Sequence, residues 1–168
     1  QVNGCQACSR HEGALANCVD GFGGDACKVL VVFNRADQLD LSRIPNLLRQ
    51  AISAAKIPAS SIRYTSAIRC ITGKIYTGSQ EYDQSKICRT HLQAEIAEHN
   101  PRVILTIGEA ASYTLTGNKN KTNYNNIVKM EDGRYRINLF PIMNGQINSK
   151  LRLELFSSLK KVNNLIQD

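Results

Sequence analysis

Two cysteines open the chain as a pair, Cys5-Gln-Ala-Cys8, and four more follow at positions 18, 27, 70 and 88. A two-residue gap lets two thiolates reach one metal ion or cluster, and two remote thiolates then complete a four-sulfur set. Cys70 and Cys88 are the remote candidates, because each falls just beyond or upon a stretch that reads as regular structure. Zinc satisfies the same arithmetic but more often takes two local pairs, and here 17 residues separate Cys70 from Cys88. An even cysteine count also suits a disulfide framework, yet such frameworks belong to shorter, loop-rich chains behind a secretion signal. Cys18 and Cys27 read as small buried hydrophobes. Metal or cluster ligation is the better reading of the other four.

Side chains this far apart need elements to hold them. The clearest is Pro101 to Gly117: Val103 to Ile107 is an apolar, β-branched run, Gly108 ends it, and Glu109 to Leu115 has the composition of a short helix. A strand passing through one glycine into a helix is the βα unit of an open parallel sheet. Sites in such sheets lie at the carboxyl ends of the strands. Lys28 to Asn34 reads as the first buried strand, with Arg35 to Leu41 as the loop at its end. Before it, Asp20-Gly-Phe-Gly-Gly24 is a turn or close-approach loop. Arg43 to Lys56 reads as a helix with Ile44, Leu47, Leu48, Ala51 and Ile52 on one face and Pro45 in its first turn.

Ile62 to Ile68 is the second strand and leads into a loop holding Cys70 and Lys74. Gln80 to His99 is a helix carrying Cys88 and the apolar residues Ile87, Leu92, Ile96 and Ala97. Asn118 to Asn126 is polar and reads as an exposed loop. Tyr135 to Phe140 is the last core strand, hairpinned with Ile127 to Met130 through Glu131-Asp-Gly133. Ser149 to Ile166 is an amphipathic helix with Leu151, Leu155, Leu159, Val162 and Ile166 in register. The alternation predicts a single domain over residues 1–168, a three-layer α/β/α fold around a four-stranded, mainly parallel sheet.

Composition agrees with a globular chain: 168 residues, 42% hydrophobic and 21% charged. No apolar run approaches the ~20 residues that span a bilayer, so a membrane is not an expected partner. A net charge of +7 and a pI near 9.2 suit nucleic acid, whose phosphates exchange counterions for Lys and Arg. The same charge also serves solubility alone.

Four pieces of the sequence, in order, resemble the iron–sulfur uracil-DNA glycosylases. Cys5-Gln-Ala-Cys8-Ser-Arg-His-Glu-Gly13, with Val19-Asp-Gly-Phe-Gly-Gly24 and the first strand, is similar to their opening. Arg63-Tyr-Thr-Ser-Ala-Ile-Arg-Cys70 resembles their second strand, which ends in a cluster cysteine, and Cys88 with Leu92 matches their fourth ligand and its helix. Pro101-Arg-Val-Ile-Leu-Thr-Ile-Gly-Glu-Ala-Ala111 matches their central strand and glycine. The likeness runs from Cys5 to about Pro141. It implies a [4Fe–4S] cluster, chiefly structural, on Cys5, Cys8, Cys70 and Cys88.

The same resemblance marks what has changed at the strand ends. Where the family has a Gly-Glu-Ala-Pro-Gly-type motif after the first strand, this chain has Phe33-Asn-Arg-Ala-Asp37; Leu41-Ser-Arg-Ile-Pro45 stands where a base-stacking phenylalanine is expected. Ser66 occupies the place of an asparagine that reads the pyrimidine edge, and Phe140-Pro-Ile142 replaces a His-Pro motif. Excision needs a pocket for a flipped base and donors for the departing one. The expected function is therefore a catalytically degenerate glycosylase-like module that binds DNA, single strands included, or a replication or repair protein. Its rivals are an active glycosylase with a rebuilt pocket, in which Asn34, Asp37 or Asn144 would do the chemistry, and a protein-interaction module without DNA. Arg35, Ser66, Arg69, Lys74, Lys119 and Lys121 are the candidate DNA contacts, with Tyr76, Tyr82 or Tyr124 for stacking. His11, His91 and His99 read as surface or cluster-side residues. The start at Gln1 suits a piece of a longer, polymerase-like chain, and the divergence suits a viral protein. A cytoplasmic location, host cytoplasm if viral, is expected.

Overall fold

Val29 to Phe33 are each at most 1% exposed, a degree of burial that a strand reaches only when both faces of its sheet are covered. In a computed structural model of the chain, which describes residues 4–40, 42, 44–119, 123–142 and 147–167, this stretch belongs to the strand β2 (Val29–Arg35). Around it lie β1 (Phe22–Gly23), β3 (Ile62–Ile68), β4 (Val103–Ile107), β5 (Ile127–Lys129) and β6 (Tyr135–Leu139), in the sheet order β1-β3-β2-β4-β6-β5. The inner strands β3, β2, β4 and β6 are all parallel, and β1 and β5 close the edges antiparallel.

The sheet is thus six-stranded and mixed, where the sequence predicted four strands. The added β1 lies inside the glycine-rich segment. It hides from any strand signal because its neighbours are glycines, and those glycines are what let it pair: a Cβ at Gly24 would collide with the Ser60 carbonyl. The second addition is β5, the partner of β6 in the hairpin read from the Glu131-Asp-Gly133 turn.

Four helices cover the sheet: α1 (Asn46–Ala54) and α4 (Ser149–Gln167) pack on one face, α2 (Gly78–His99) and α3 (Glu109–Thr116) on the other. Helix α1 starts three residues later than expected. Pro45 is its N-cap at φ −54° and ψ 130°, and its ring disfavours helical geometry at Ile44 before it. The α1/α4 face holds the larger core, with Val31, Phe33, Leu48, Leu105, Leu139 and Leu159 among its members.

The α2/α3 face differs. Its apolar cluster is small, built on Leu30, Val32, Leu92, Ile104 and Ala111. Helix α2 buries a mixed face: Ile87 is 41% exposed and Ala97 is exposed, while Gln84, Ser85, Cys88, Leu92 and Glu95 point inward. A helix with so polar a buried face must be held by hydrogen bonds and charge as much as by apolar contact. Among the described residues no helix is long and apolar enough to cross a membrane.

The division of labour between the faces is testable. Leu159→Ala, at a fully buried position, is expected to lower unfolding free energy in urea by about 3 kcal/mol through lost burial and the cavity left behind. Leu153→Ala, on the same helix but 71% exposed, is expected to stay within about 0.5 kcal/mol of the parent.

Candidate functional site

In a parallel sheet the ligand crevice opens where consecutive connections leave in opposite directions. Here β2 leads through α1 to β3 on one side, and β4 leads to β6 on the other. The crevice therefore lies between the carboxyl ends of β2 and β4, and Asn34 stands in it. Its Oδ1 accepts a hydrogen bond from the Ala111 backbone amide at 2.9 Å, one of the amides that the first turn of α3 leaves unpaired. Gly108, the N-cap of α3 at φ +105°, leaves room for this, since a Cβ there would overlap the Asn34 amide. The crevice is bridged from within.

The neighbouring candidates are likewise engaged. Arg35 reaches Asp37 Oδ1 at 3.0 Å and Glu81 Oε1 at 3.0 Å, and the hydrogen bond to Asp37 leads the effects that raise the Arg35 pKa. Asp37 thus faces a guanidinium. Ser66, paired in register with Phe33, is fully buried and donates to the Ile68 carbonyl at 3.0 Å. Phe140 packs edge-on against Tyr124, with centroids 5.3 Å apart. Asn144 and Lys121 lie outside the described residues.

The cysteines gather on the α2 side of the same sheet end. Cys70 follows β3, Cys88 lies on α2, and both are buried; Cys5 and Cys8 are half-buried. Burial pushes the Cys88 thiol up to about 11; a hydrogen bond with the Arg69 backbone opposes this, and the charges of Cys8, Cys70 and Cys5 add to it. Cys18 joins them, its thiol raised by burial and by the charges of Cys5 and Cys70, and its amide approaches Cys70 Sγ at 3.5 Å. His91 Nε2 lies 3.5 Å from Cys5 Sγ. Among the described residues, no three His, Cys, Asp or Glu side chains converge tightly enough to hold a metal ion.

Buried positive charge surrounds this group. Arg10 is buried and bonds neutral partners, Gln84 Oε1 at 2.6 Å and the Cys70 carbonyl at 3.4 Å. Arg69 and Arg63 share one carboxylate, Glu95, at 2.5 and 2.7 Å, and Thr65 donates to the same group at 2.6 Å. Arg69 Nε is buried without a partner. Four soft thiols, two of them beside backbone amides, and an orphaned cationic donor form a set that suits an anionic, thiolate-ligated group.

Of the DNA-contact candidates, Lys74 and Lys119 are exposed and Arg35 is half-buried. Arg69 is buried in its ion pair, and Ser66 shows no surface, so neither presents itself to a phosphate in this arrangement. Lys119 Nζ sits 5.0 Å over the Tyr82 ring and 5.7 Å over that of Tyr113. Tyr82 donates to Glu109 at 2.8 Å, and burial and that carboxylate push its hydroxyl up to about 12.

Sequence reasoning passed over Arg10, Tyr113 and Glu95. Glu95 had a visible signal, because Cys88, Leu92 and Glu95 fall at i, i+4 and i+7 of one helix and so share a face.

Glu95 sets a pH test. Burial works to raise its pKa, yet the Arg69 charge and the Thr65, Arg63 and Arg69 hydrogen bonds hold it below its ordinary value. A depressed carboxyl adds stability that is complete above its unfolded pKa and is lost as pH falls through the folded one. Glu95→Gln is expected to cost about 3 kcal/mol at pH 7 and to flatten the acid side of a plot of Tm against pH. An unchanged acid limb would show that the carboxylate does not carry this load.

The family model of the uracil DNA glycosylase superfamily matches residues 26–156. That span takes in β2, β3, β4 and β6, Cys70 and Cys88, but not Cys5 or Cys8. No curated protein matches the chain.

Proposed function

We propose a DNA-binding role without base excision for this chain, which belongs to the uracil DNA glycosylase superfamily. The observation that carries it is Asn34. Excision needs an open crevice in which a flipped base can lie and amides that can face developing negative charge. Asn34 spans that crevice and takes the Ala111 amide for itself. Asp37, the carboxylate in the loop after β2, is held by Arg35, and an apolar ring stands at Phe140 where a donor would be needed.

In the same reading Cys5, Cys8, Cys70 and Cys88 hold a [4Fe–4S] cluster. Their thiol donors, the amides beside Cys70 and Cys88, and the buried charge of Arg10 and Arg69 support it. When bound, such a group supplies a covalent cross-link between the amino-terminal loop, the end of β3 and α2. The chain's own residues do the rest: Arg10 and Arg69 offset the added negative charge, and Lys74 and Lys119 remain at the surface for phosphates.

The deciding experiment is a single-turnover assay of anaerobically purified protein on uracil-containing single- and double-stranded oligonucleotides. Alkali-labile breaks and gel mobility are read from the same tubes. A mobility shift that weakens steeply with salt, with no abasic product, is expected. An abasic product that disappears with Asn34→Ala or Asp37→Ala would make the protein an enzyme with a rebuilt pocket. A lack of both signals would favour a protein partner in replication or repair.

The cluster has its own readout. Brown protein absorbing near ~400 nm, with colour lost in Cys88→Ser, is expected. Colourless protein carrying stoichiometric zinc would refute iron–sulfur ligation.

A further inference from the structure

Ile104 is wholly buried, yet the apolar cluster around it is small, and Ile96 and Leu115 at its margin are only partly covered. Between them α2, α3 and the β5–β6 hairpin leave a groove of about 250 Å³, floored by Leu92, Ile96, Ile104, Leu115 and Met130. Apolar surface left open in a groove is a place where a second apolar group gains by burial, and a methionine in the wall adapts to differing shapes. The groove lies at the amino end of the sheet. Ile104 is the second residue of β4, Arg134 immediately precedes β6, and Leu115 stands near the end of α3. The crevice that Asn34 bridges opens at the carboxyl ends of the strands, so a ligand in the groove leaves it free.

The rim of the groove is cationic. Arg89 and Arg134 border it, and among the described residues Asp132 is the one carboxylate there. Arg134 donates to Asp132 and, at 2.8 Å, to Asn100 Oδ1, and its Nε is buried without a partner. Arg136 extends the charge along the same face. It stands in register with Ile104 on one side and Val128 on the other, and residues so paired point to one face of a sheet. Burial lowers the Arg136 pKa, and among the described residues no hydrogen bond or ion pair offsets this. Val128, in the same row, is 40% exposed.

We propose that this groove docks an acidic segment of a partner protein, with one bulky apolar side chain of the segment in the cavity and its carboxylates on Arg89, Arg134 and Arg136. At about 250 Å³ the cavity falls below the ~300 Å³ at which pockets for drug-sized ligands begin, and it suits a single side chain. Three guanidiniums around an apolar floor complement an apolar residue flanked by carboxylates. A nucleic acid fits less well. Phosphates draw nothing from an apolar floor, and among the described residues no aromatic ring lines the groove for a base to stack on. The inference stands apart from the DNA-binding reading, because the two surfaces lie at opposite ends of the sheet.

The test pans a phage-displayed library of random dodecapeptides against the full chain and measures the enriched peptides, synthesised with a fluorescein label, by anisotropy. Peptides sharing one Leu, Ile, Phe or Met flanked by Asp or Glu are expected. Their binding is expected to weaken about tenfold in Arg89→Glu and again in Ala97→Trp. Ala97 borders the groove at an exposed position, so the indole fills the groove without entering the core, and an unchanged Tm confirms that both variants fold. Lys161→Glu, exposed on α4 across the sheet, is expected to leave Kd unchanged. A library that yields no enriched sequence, a consensus without acidic residues, or equal affinity in the parent, Arg89→Glu and Ala97→Trp would overturn the docking site. An equal loss in Lys161→Glu would reduce it to bulk charge attraction and overturn it too. Displacement of the peptide by a short single-stranded oligonucleotide would make the groove a nucleic-acid contact instead.

Discussion

The Glu95 carboxylate is the interaction on which the polar half of the molecule depends. It accepts from Arg63, Thr65 and Arg69 on or just beyond β3 and so ties the carboxyl-terminal part of α2 to the outer parallel strand. Without it, two guanidiniums would be left beneath a helix whose inward face offers little apolar area. Removing one member of such a buried group costs more than the group contributes as a whole, because a bare charge is left behind. The arrangement also sets where cysteine chemistry can occur. Cys88 lies two turns before Glu95 on the same face of α2, and Cys70 directly follows Arg69, so the ion-paired group fixes both thiols.

The two faces of the sheet are thus built by different physics. On the α1/α4 side, helices pack mainly by apolar burial, and their stripes are what a 3.6-residue period predicts. On the α2/α3 side, burial is shared among thiols, hydroxyls and charges. The Glu95 carboxylate answers two of those charges, and Arg10 bonds neutral partners. That is the physical ground for reading the cysteines as ligands.

The same contrast explains what could be read without coordinates. Strands β2 and β4 were legible because double-sided burial leaves largely apolar runs, and α4 because Leu155, Leu159, Val162 and Ile166 fall in register on its buried face. Helix α2 was legible as a helix but not in its orientation: of its apolar residues the fold buries Leu92 and leaves Ile87 and Ala97 at the surface. Strand β1 was hidden by the glycines that permit it, and the first turn of α1 was misjudged by reading Pro45 as a helical residue rather than the cap. At the strand ends, sequence located the loops but not their contacts. Ser66 falls at the expected place along β3 yet is sealed beneath its neighbours, and the hold of Asn34 on Ala111 spans 77 positions of sequence, which no local pattern encodes.

That hold has a physical basis in the geometry of helix starts. The amides at the start of α3 are unpaired by geometry, and an open crevice must leave them so, at a cost in stability, until a ligand arrives. A side chain that caps one of them recovers about 1 kcal/mol, the usual worth of a helix cap, and Asn34 does this across the crevice between β2 and β4. The outer surface is under no such constraint. The loop from Ile71 to Thr77 is braced instead by Arg10, Tyr76 and the cap of α2, none of which touches the Asn34 bridge.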